Sequence, residues 1–106
     1  MPVVYEVALH NVPAQPVKVV YLSPDGTLVR TRVTPPWSSE VLTFPVGSAY
    51  RLTVNALRLR RVATLQCGVV FDPANPEGNV VAKTGWRRCV VDGPVPTVES
   101  LYENPF

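Results

Sequence analysis

The sequence contains few of the residues that catalysis and metal binding require. Among its 106 residues there are one histidine, His10, and two cysteines, Cys67 and Cys89. The two cysteines are far apart in the chain, whereas zinc sites need closely spaced ligand pairs. Glycine-rich phosphate loops and nucleotide-binding fingerprints are missing as well. The sequence therefore predicts a protein that is not an enzyme, with no catalytic residues, no metal site and no cofactor.

Long hydrophobic runs are also missing. No stretch approaches the ~20 apolar residues that a membrane-spanning helix needs. Residues 1–6 lack the basic region that opens a signal peptide. We therefore expect no membrane span in this chain, and the sequence shows no export signal.

Charge is sparse in total but uneven along the chain. The net charge of +2 indicates no strong attraction to nucleic acid or to an anionic membrane. Between residues 28 and 62, however, there are six arginines and one acidic residue. Several of these arginines occupy alternate positions, so neighbouring strands would form a guanidinium surface for phosphate or carboxylate. The alternative is a solvated outer face, and nucleic acid is disfavoured because no aromatic residues are interleaved. The candidate basic face comprises Arg30, Arg32, Arg58 and Arg60.

The residues that are abundant favour strands. Apolar residues make up 46% of the chain and valine dominates them, while the 12 prolines separate the apolar runs. The clearest pair of strands flanks Ser23-Pro24-Asp25-Gly26, a turn sequence, and predicts a hairpin over residues 17–33. We also predict a connector over residues 34–39, a long strand over residues 49–59 with a bulge or bend near residues 55–57, and a short strand over residues 79–82 followed by a turn. We predict an all-β protein, an antiparallel β-sandwich of seven or eight short strands, with a barrel as the alternative.

The chain divides into a predicted sandwich domain, residues 1–94, and a short C-terminal arm, residues 95–106. Thr97 could cap one helical turn in the arm. The apolar residues of the arm predict docking, either onto the domain's own core or onto a neighbouring subunit. The candidate docking residues are Val98, Leu101, Tyr102 and Phe106.

Cys67 and Cys89 lie in two β-rich runs separated by a polar turn region. We interpret them as a hairpin-like pair on neighbouring strands, able to close one disulfide. Such a bridge would indicate an oxidising compartment, which conflicts with the missing export signal. The alternative is a pair of buried, inert thiols in a reducing cytosol.

Several of these segments together resemble a known family. The segments VVYEV, VVYLSPDGTLV, PPWSSEV, LQCGVVFD and RRCVVDG are similar to the soluble domain of the small mycobacterial membrane proteins called MmpS. The similarity covers roughly residues 3 to 92, and its most specific part is the Pro36-Trp37-Ser38 segment together with the placement of the cysteines. The matching positions are Tyr5, Val19, Tyr21, Gly26, Pro36, Trp37, Ser38, Cys67 and Cys89.

The resemblance implies an immunoglobulin-like β-sandwich with a Cys67–Cys89 disulfide. It also implies a protein–protein interaction module in the cell envelope that assists large MmpL transporters in lipid and siderophore export. Two features depart from the family pattern. Family members carry an N-terminal transmembrane helix, whereas this chain starts directly at the first predicted strand, and the residues from Val95 to Phe106 have no counterpart. The alternative is a structural subunit of a larger assembly, such as a phage tail or head-completion protein in a virion.

Overall fold

Two antiparallel β-sheets, packed face to face, make up the computed structural model, which describes residues 1–56, 58–60, 62–75 and 79–102. The first sheet has the strand order β4-β1-β7-β8, with β5 also pairing with β1, and the second has the order β3-β2-β6-β9. This arrangement confirms the predicted all-β sandwich; its immunoglobulin-like character stays a prediction. The strands are β1 (Pro2–His10), β2 (Val17–Leu22), β3 (Leu28–Val33), β4 (Trp37–Ser38), β5 (Leu42–Thr43), β6 (Ala49–Asn55), β7 (Thr64–Phe71), β8 (Asn79–Gly85) and β9 (Arg88–Pro94).

Alternation along the strands places one side of each sheet in the core. Successive side chains of a strand point to opposite faces, so residues two apart share a face. In β1 the inward residues Val3, Tyr5 and Val7 are buried, whereas Glu6 between them is exposed. The inward residues of β2, β6, β7 and β9 complete one continuous apolar core. Burial of these side chains provides the main favourable term in the stability of the sandwich.

The predicted hairpin is confirmed, because β2 pairs with β3 from Val17↔Val33 to Leu22↔Leu28. Gly26 has φ +87°, a left-handed conformation that glycine adopts without strain. The Asp25 carboxylate accepts hydrogen bonds from Ser23 and Thr27. These bonds lower the pKa of Asp25 to about 2. The turn chemistry therefore sets the register of the hairpin.

The two cysteines are bonded, as predicted, but they do not form a hairpin-like pair. Cys67 lies on β7 in the first sheet, and Cys89 lies on β9 in the second sheet, with their Cα atoms 6.0 Å apart. The hairpin partner of β7 is β8, and the chain then crosses between the sheets before β9 begins. The crossing needs glycine at position 85, because a Cβ there would overlap the carbonyl oxygen of Arg88. The disulfide therefore joins the two sheets.

Other strand boundaries also differ from the predicted ones. We predicted a short strand over residues 79–82 followed by a turn, but β8 continues to Gly85 because β7 offers it a full-length partner. The long strand predicted over residues 49–59 ends at Asn55. Trp37 and Ser38, predicted as part of a connector, pair with β1. In each case the neighbouring strand, rather than the local sequence, decides the length.

Tyr5 provides a second connection between the sheets. Its ring extends from β1 into the core, and its hydroxyl donates a hydrogen bond to the Leu22 carbonyl oxygen at 2.8 Å. The same hydroxyl accepts a hydrogen bond from the Arg51 backbone N–H at 3.2 Å. These two backbone groups lie where the pairing of β2 with β6 ends, beyond Tyr21↔Leu52. Burial raises the pKa of Tyr5 to about 12 because it disfavours the charged phenolate.

Removing the disulfide should destabilise the fold substantially. The bridge closes a loop of about 23 residues, for which chain-entropy arguments give about 3 kcal/mol of stability. We expect Cys67→Ala, Cys89→Ala and the double variant to lose nearly the same free energy of unfolding, since each breaks the one bridge. Urea denaturation measures this loss, and reduced wild-type protein is the control. Equal stability of the oxidised protein and the double variant would contradict a structural role for the bridge.

Replacing Tyr5 by phenylalanine should cost about 1–2 kcal/mol, because the variant leaves two partly buried backbone groups without their partner. The folded-state pKa of Tyr5 lies above its ordinary value of 10.0. The stability that the neutral Tyr5 side chain contributes is therefore fully present below pH 10, and it is lost as the pH rises through about 12. Denaturation curves across this range should fall more steeply for wild type than for Tyr5→Phe. Tyr21→Phe, which removes a hydroxyl without changing these contacts, should behave like wild type.

Candidate binding surfaces

The Pro36-Trp37-Ser38 segment, singled out from the sequence, closes one edge of the first sheet. Trp37 pairs with Val7 and Ser38 with Glu6 in the β1–β4 register. The Trp37 ring packs against the core, with its centroid 6.0 Å from that of Tyr21 on the opposite sheet. The segment therefore holds the two sheets together at this edge and also forms the wall of a surface groove.

The C-terminal arm folds back onto its own domain. Thr97 caps helix α1 (Val98–Leu101), as predicted, by accepting a hydrogen bond from the backbone N–H of Ser100. Leu101 packs against the core, and its carbonyl oxygen accepts a hydrogen bond from the Asn79 side chain at 2.7 Å.

The remaining docking candidates of the arm differ in placement. The Tyr102 hydroxyl donates a hydrogen bond to the Asp72 carboxylate at 2.8 Å. Val98 is 52% exposed and faces solvent. Phe106 lies outside the described residues. Leu101 and Tyr102 therefore dock onto their own domain, which is one of the two alternatives predicted for the arm.

Strand β8 presents an open, apolar edge of the first sheet. It pairs with β7 on one side, and in the part of the chain that the structure describes no strand pairs with its other side. Val80 is 57% exposed and Val81 is 38% exposed. The backbone N–H and C=O groups along such an edge are available to another strand.

The other sheet edges are protected in ways that β8 is not. Edge strand β3 carries Arg30 and Arg32, and edge strand β9 carries Asp92 and ends at Pro94. Strands β4 and β5 have only two residues each. Charges, proline and short length all discourage pairing with another chain, and Lys83 is the one charged residue on β8. Of the sheet edges in the described residues, β8 is therefore the most open to a further strand.

A shallow groove of about 310 Å³ lies beside β8 on the outer face of the first sheet. Its floor includes Gly68, where a Cβ would lie 3.2 Å from the Val81 carbonyl oxygen. Val80 and Ala82 of β8 line one side, and Trp37 lines the groove as well. The groove therefore crosses β7 between β1 and β8, and β8 separates it from the open edge.

The outer face of the second sheet is basic. Its inward residues, such as Val19 and Val54, are buried, so the residues between them point outward. The pairing registers arrange these outward residues in rows across β3, β2, β6 and β9. Asp92 is the one acidic side chain among them. The five cationic residues on this face are Lys18, Arg30, Arg32, Arg51 and Arg88.

Three cations meet at one corner of this basic face. Lys18 and Arg32 are directly opposite each other in the β2–β3 register. With Arg58, from the segment after β6, they line a depression of about 480 Å³. Like charges directly opposite on a sheet destabilise it. This corner therefore breaks a rule of strand pairing that the rest of the hairpin obeys.

The four arginines predicted from the sequence are only partly brought together. Arg30 and Arg32 lie on the outer face of β3, as predicted. Arg58 and Arg60 follow β6 rather than lying on a strand, since β6 ends at Asn55. Arg58 joins Arg32 in the cationic depression, whereas Arg60 lines a neighbouring one with Arg58.

Sequence reasoning missed Lys18 and the β8 edge. Alternation within β2 and the predicted β2–β3 hairpin together would have placed Lys18 opposite Arg32. No comparable signal marks the β8 edge, because whether a strand is at an edge depends on which strands flank it.

The residue types that could carry catalysis or bind a metal ion are not clustered in the described residues. His10 is exposed, and its Nε2 forms a hydrogen bond of 2.9 Å with the Gln66 side chain. Within residues 1–56, 58–60, 62–75 and 79–102, no three His, Cys, Asp or Glu residues are grouped so that they could hold a metal ion. Over the same ranges, no helix has the length and apolar character to cross a membrane.

The fold defines a class: a two-sheet antiparallel β-sandwich whose sheets are joined by a disulfide. Comparison of the chain with protein-family models, curated proteins and solved structures finds no match.

Neutralising Arg32 should stabilise the unliganded protein, because it relieves the repulsion with Lys18. We expect Arg32→Gln to raise the free energy of unfolding by about 0.2–1 kcal/mol at low ionic strength. The gain should shrink as salt screens the charges. Arg88→Gln is the matched control, because Arg88 lies opposite the neutral Asn55. Urea denaturation at low and high salt measures both variants, and a loss of stability in Arg32→Gln would contradict the repulsion.

Proposed function

We propose that this protein is a non-enzymatic protein–protein interaction module that binds an extended segment of its partner along β8. The observation that supports this is the open edge of β8, where exposed Val80 and Val81 adjoin unpaired backbone groups. Strand addition at a sheet edge uses such groups for affinity and uses alternate side chains for specificity. The partner segment is extended and apolar at alternate positions, so that its side chains pack beside the exposed Val80 and Val81.

The partner is a large membrane transporter of lipids or siderophores, as the resemblance to the MmpS accessory proteins implies. The residues that carry the resemblance support the architecture: Trp37 closes a sheet edge, Tyr5 links the sheets, and Cys67 bonds to Cys89. A protein with the same sandwich would need these residues to close the sheet edge and to join the two sheets. The disulfide also supports an extracytoplasmic setting in the cell envelope, because such bridges persist in oxidising compartments.

A structural subunit of a virion or another large assembly has less support. That alternative depended on an apolar arm that docks onto a neighbouring subunit. Leu101 and Tyr102 instead contact the domain to which they belong. Exposed Val98 is the one apolar residue of the described arm that is open to a neighbour.

The proposal can be tested by photo-crosslinking in living cells of the source organism. A photoreactive amino acid at position 80 should form a covalent adduct with an integral-membrane transport protein, identified by mass spectrometry. Val80→Lys should weaken binding of that protein about tenfold, because it places a desolvated charge at the contact.

Val41 provides the matched control, since it is 59% exposed and lies away from β8. The same photoreactive residue at position 41 should give no adduct, and Val41→Lys should bind normally. Adducts formed only between copies of this chain would instead favour a structural assembly. Equal crosslinking from positions 80 and 41 would contradict β8 as the contact surface.

A further inference from the structure

The depression lined by Lys18, Arg32 and Arg58 has a lining suited to an anion. Its other polar side chains are the amides of Gln15 and Asn55, and the rest of the lining is apolar. Among the residues that the structure describes, no carboxylate lines it. Three cations and two amides therefore face one space of about 480 Å³.

These positive charges are not neutralised elsewhere in the described residues. No ion pair to a carboxylate is found there for Lys18, Arg32 or Arg58. Asp92, the acid on the same sheet face, lies on β9 opposite Arg51. Strand β9 is two strands away from β2, or roughly 10 Å in the pairing direction. The cost of keeping the like charges together is therefore not offset within this part of the chain.

The side chains that line the depression favour some anions over others. A guanidinium group matches phosphate and carboxylate with two parallel hydrogen bonds, and an ammonium group adds a mobile point charge. Three cations in one depression suit a multiply charged anion better than a single carboxylate. None of the described residues that line the depression is aromatic, so they offer no surface on which a nucleic-acid base could stack.

We propose that this depression is a binding site for a phosphate-bearing ligand, held by Lys18, Arg32 and Arg58. The bound phosphate replaces the missing counter-charge and relieves the repulsion between Lys18 and Arg32. The phosphate could belong to a soluble phosphate ester or to a lipid headgroup, which present the same oxygens. This site is on the second sheet, so it does not depend on the proposed contact at β8.

Inorganic pyrophosphate is the first probe, with sodium chloride of matched ionic strength as the reference. Pyrophosphate should raise the melting temperature of the wild-type protein, and isothermal calorimetry should detect one site. Lys18→Gln, Arg32→Gln and Arg58→Gln should each weaken binding about tenfold or more, since each removes a charge-assisted hydrogen bond. Arg51→Gln, which removes the same charge from the same face but four residues along β6 from Asn55, should bind like wild type.

Further probes distinguish the source of the phosphate from other polyanions. Binding to vesicles that contain phosphatidic acid, but not to neutral vesicles, would support a lipid headgroup, and pyrophosphate binding without vesicle binding would support a soluble ester. Binding of polyglutamate or an oligonucleotide without any pyrophosphate binding would overturn the proposal. An equal loss of pyrophosphate binding in Arg51→Gln would also overturn it, because it would indicate attraction to net charge alone. Circular dichroism of every variant checks that the fold is intact.

Discussion

The connection between the two sheets is the constraint on which the rest of the structure depends. The Cys67–Cys89 bridge joins them covalently, and the Tyr5 hydroxyl joins them through hydrogen bonds with backbone groups of β2 and β6. Apolar side chains fill the space between, and the described residues include no buried side-chain polar atom without a partner. Because the inner faces of the two sheets pack against each other, a partner can reach only the outer faces and the sheet edges.

The accessible surfaces differ in chemistry and lie on opposite sides of the sandwich. One is an apolar groove beside an unprotected strand edge, and the other is a basic face with three cations at one corner. Val80, Ala82, Lys18 and Arg32 lie on strands of a bridged scaffold, which holds binding groups more precisely than loops do, whereas Arg58 follows β6. Each also breaks a rule that stable sheets follow: an open edge invites aggregation, and Lys18 opposite Arg32 is repulsive. Such local conflicts are where binding functions are expected.

Much of the fold could be predicted from local patterns, and much of the site could not. Alternation placed Arg30 and Arg32 on one face of β3, and Asp25-Gly26 marked the hairpin turn. The cysteine pairing was predicted, but its geometry was wrong, because β8 takes the place next to β7 and the chain then changes sheets. The position of Arg58 beside Arg32 depends on where β6 ends, which the alternating sequence did not show.

The sequence by itself determined which residues point inward, where the chain turns and that two cysteines were available to bond. These properties follow from backbone geometry with a period of two and from the conformational preferences of proline and glycine, which act over a few residues. Only the tertiary structure decided that the disulfide joins the sheets, that β8 is an edge and that Lys18 and Arg58 meet Arg32. Those outcomes depend on which distant strands become neighbours, and that choice is made by packing the whole core at once.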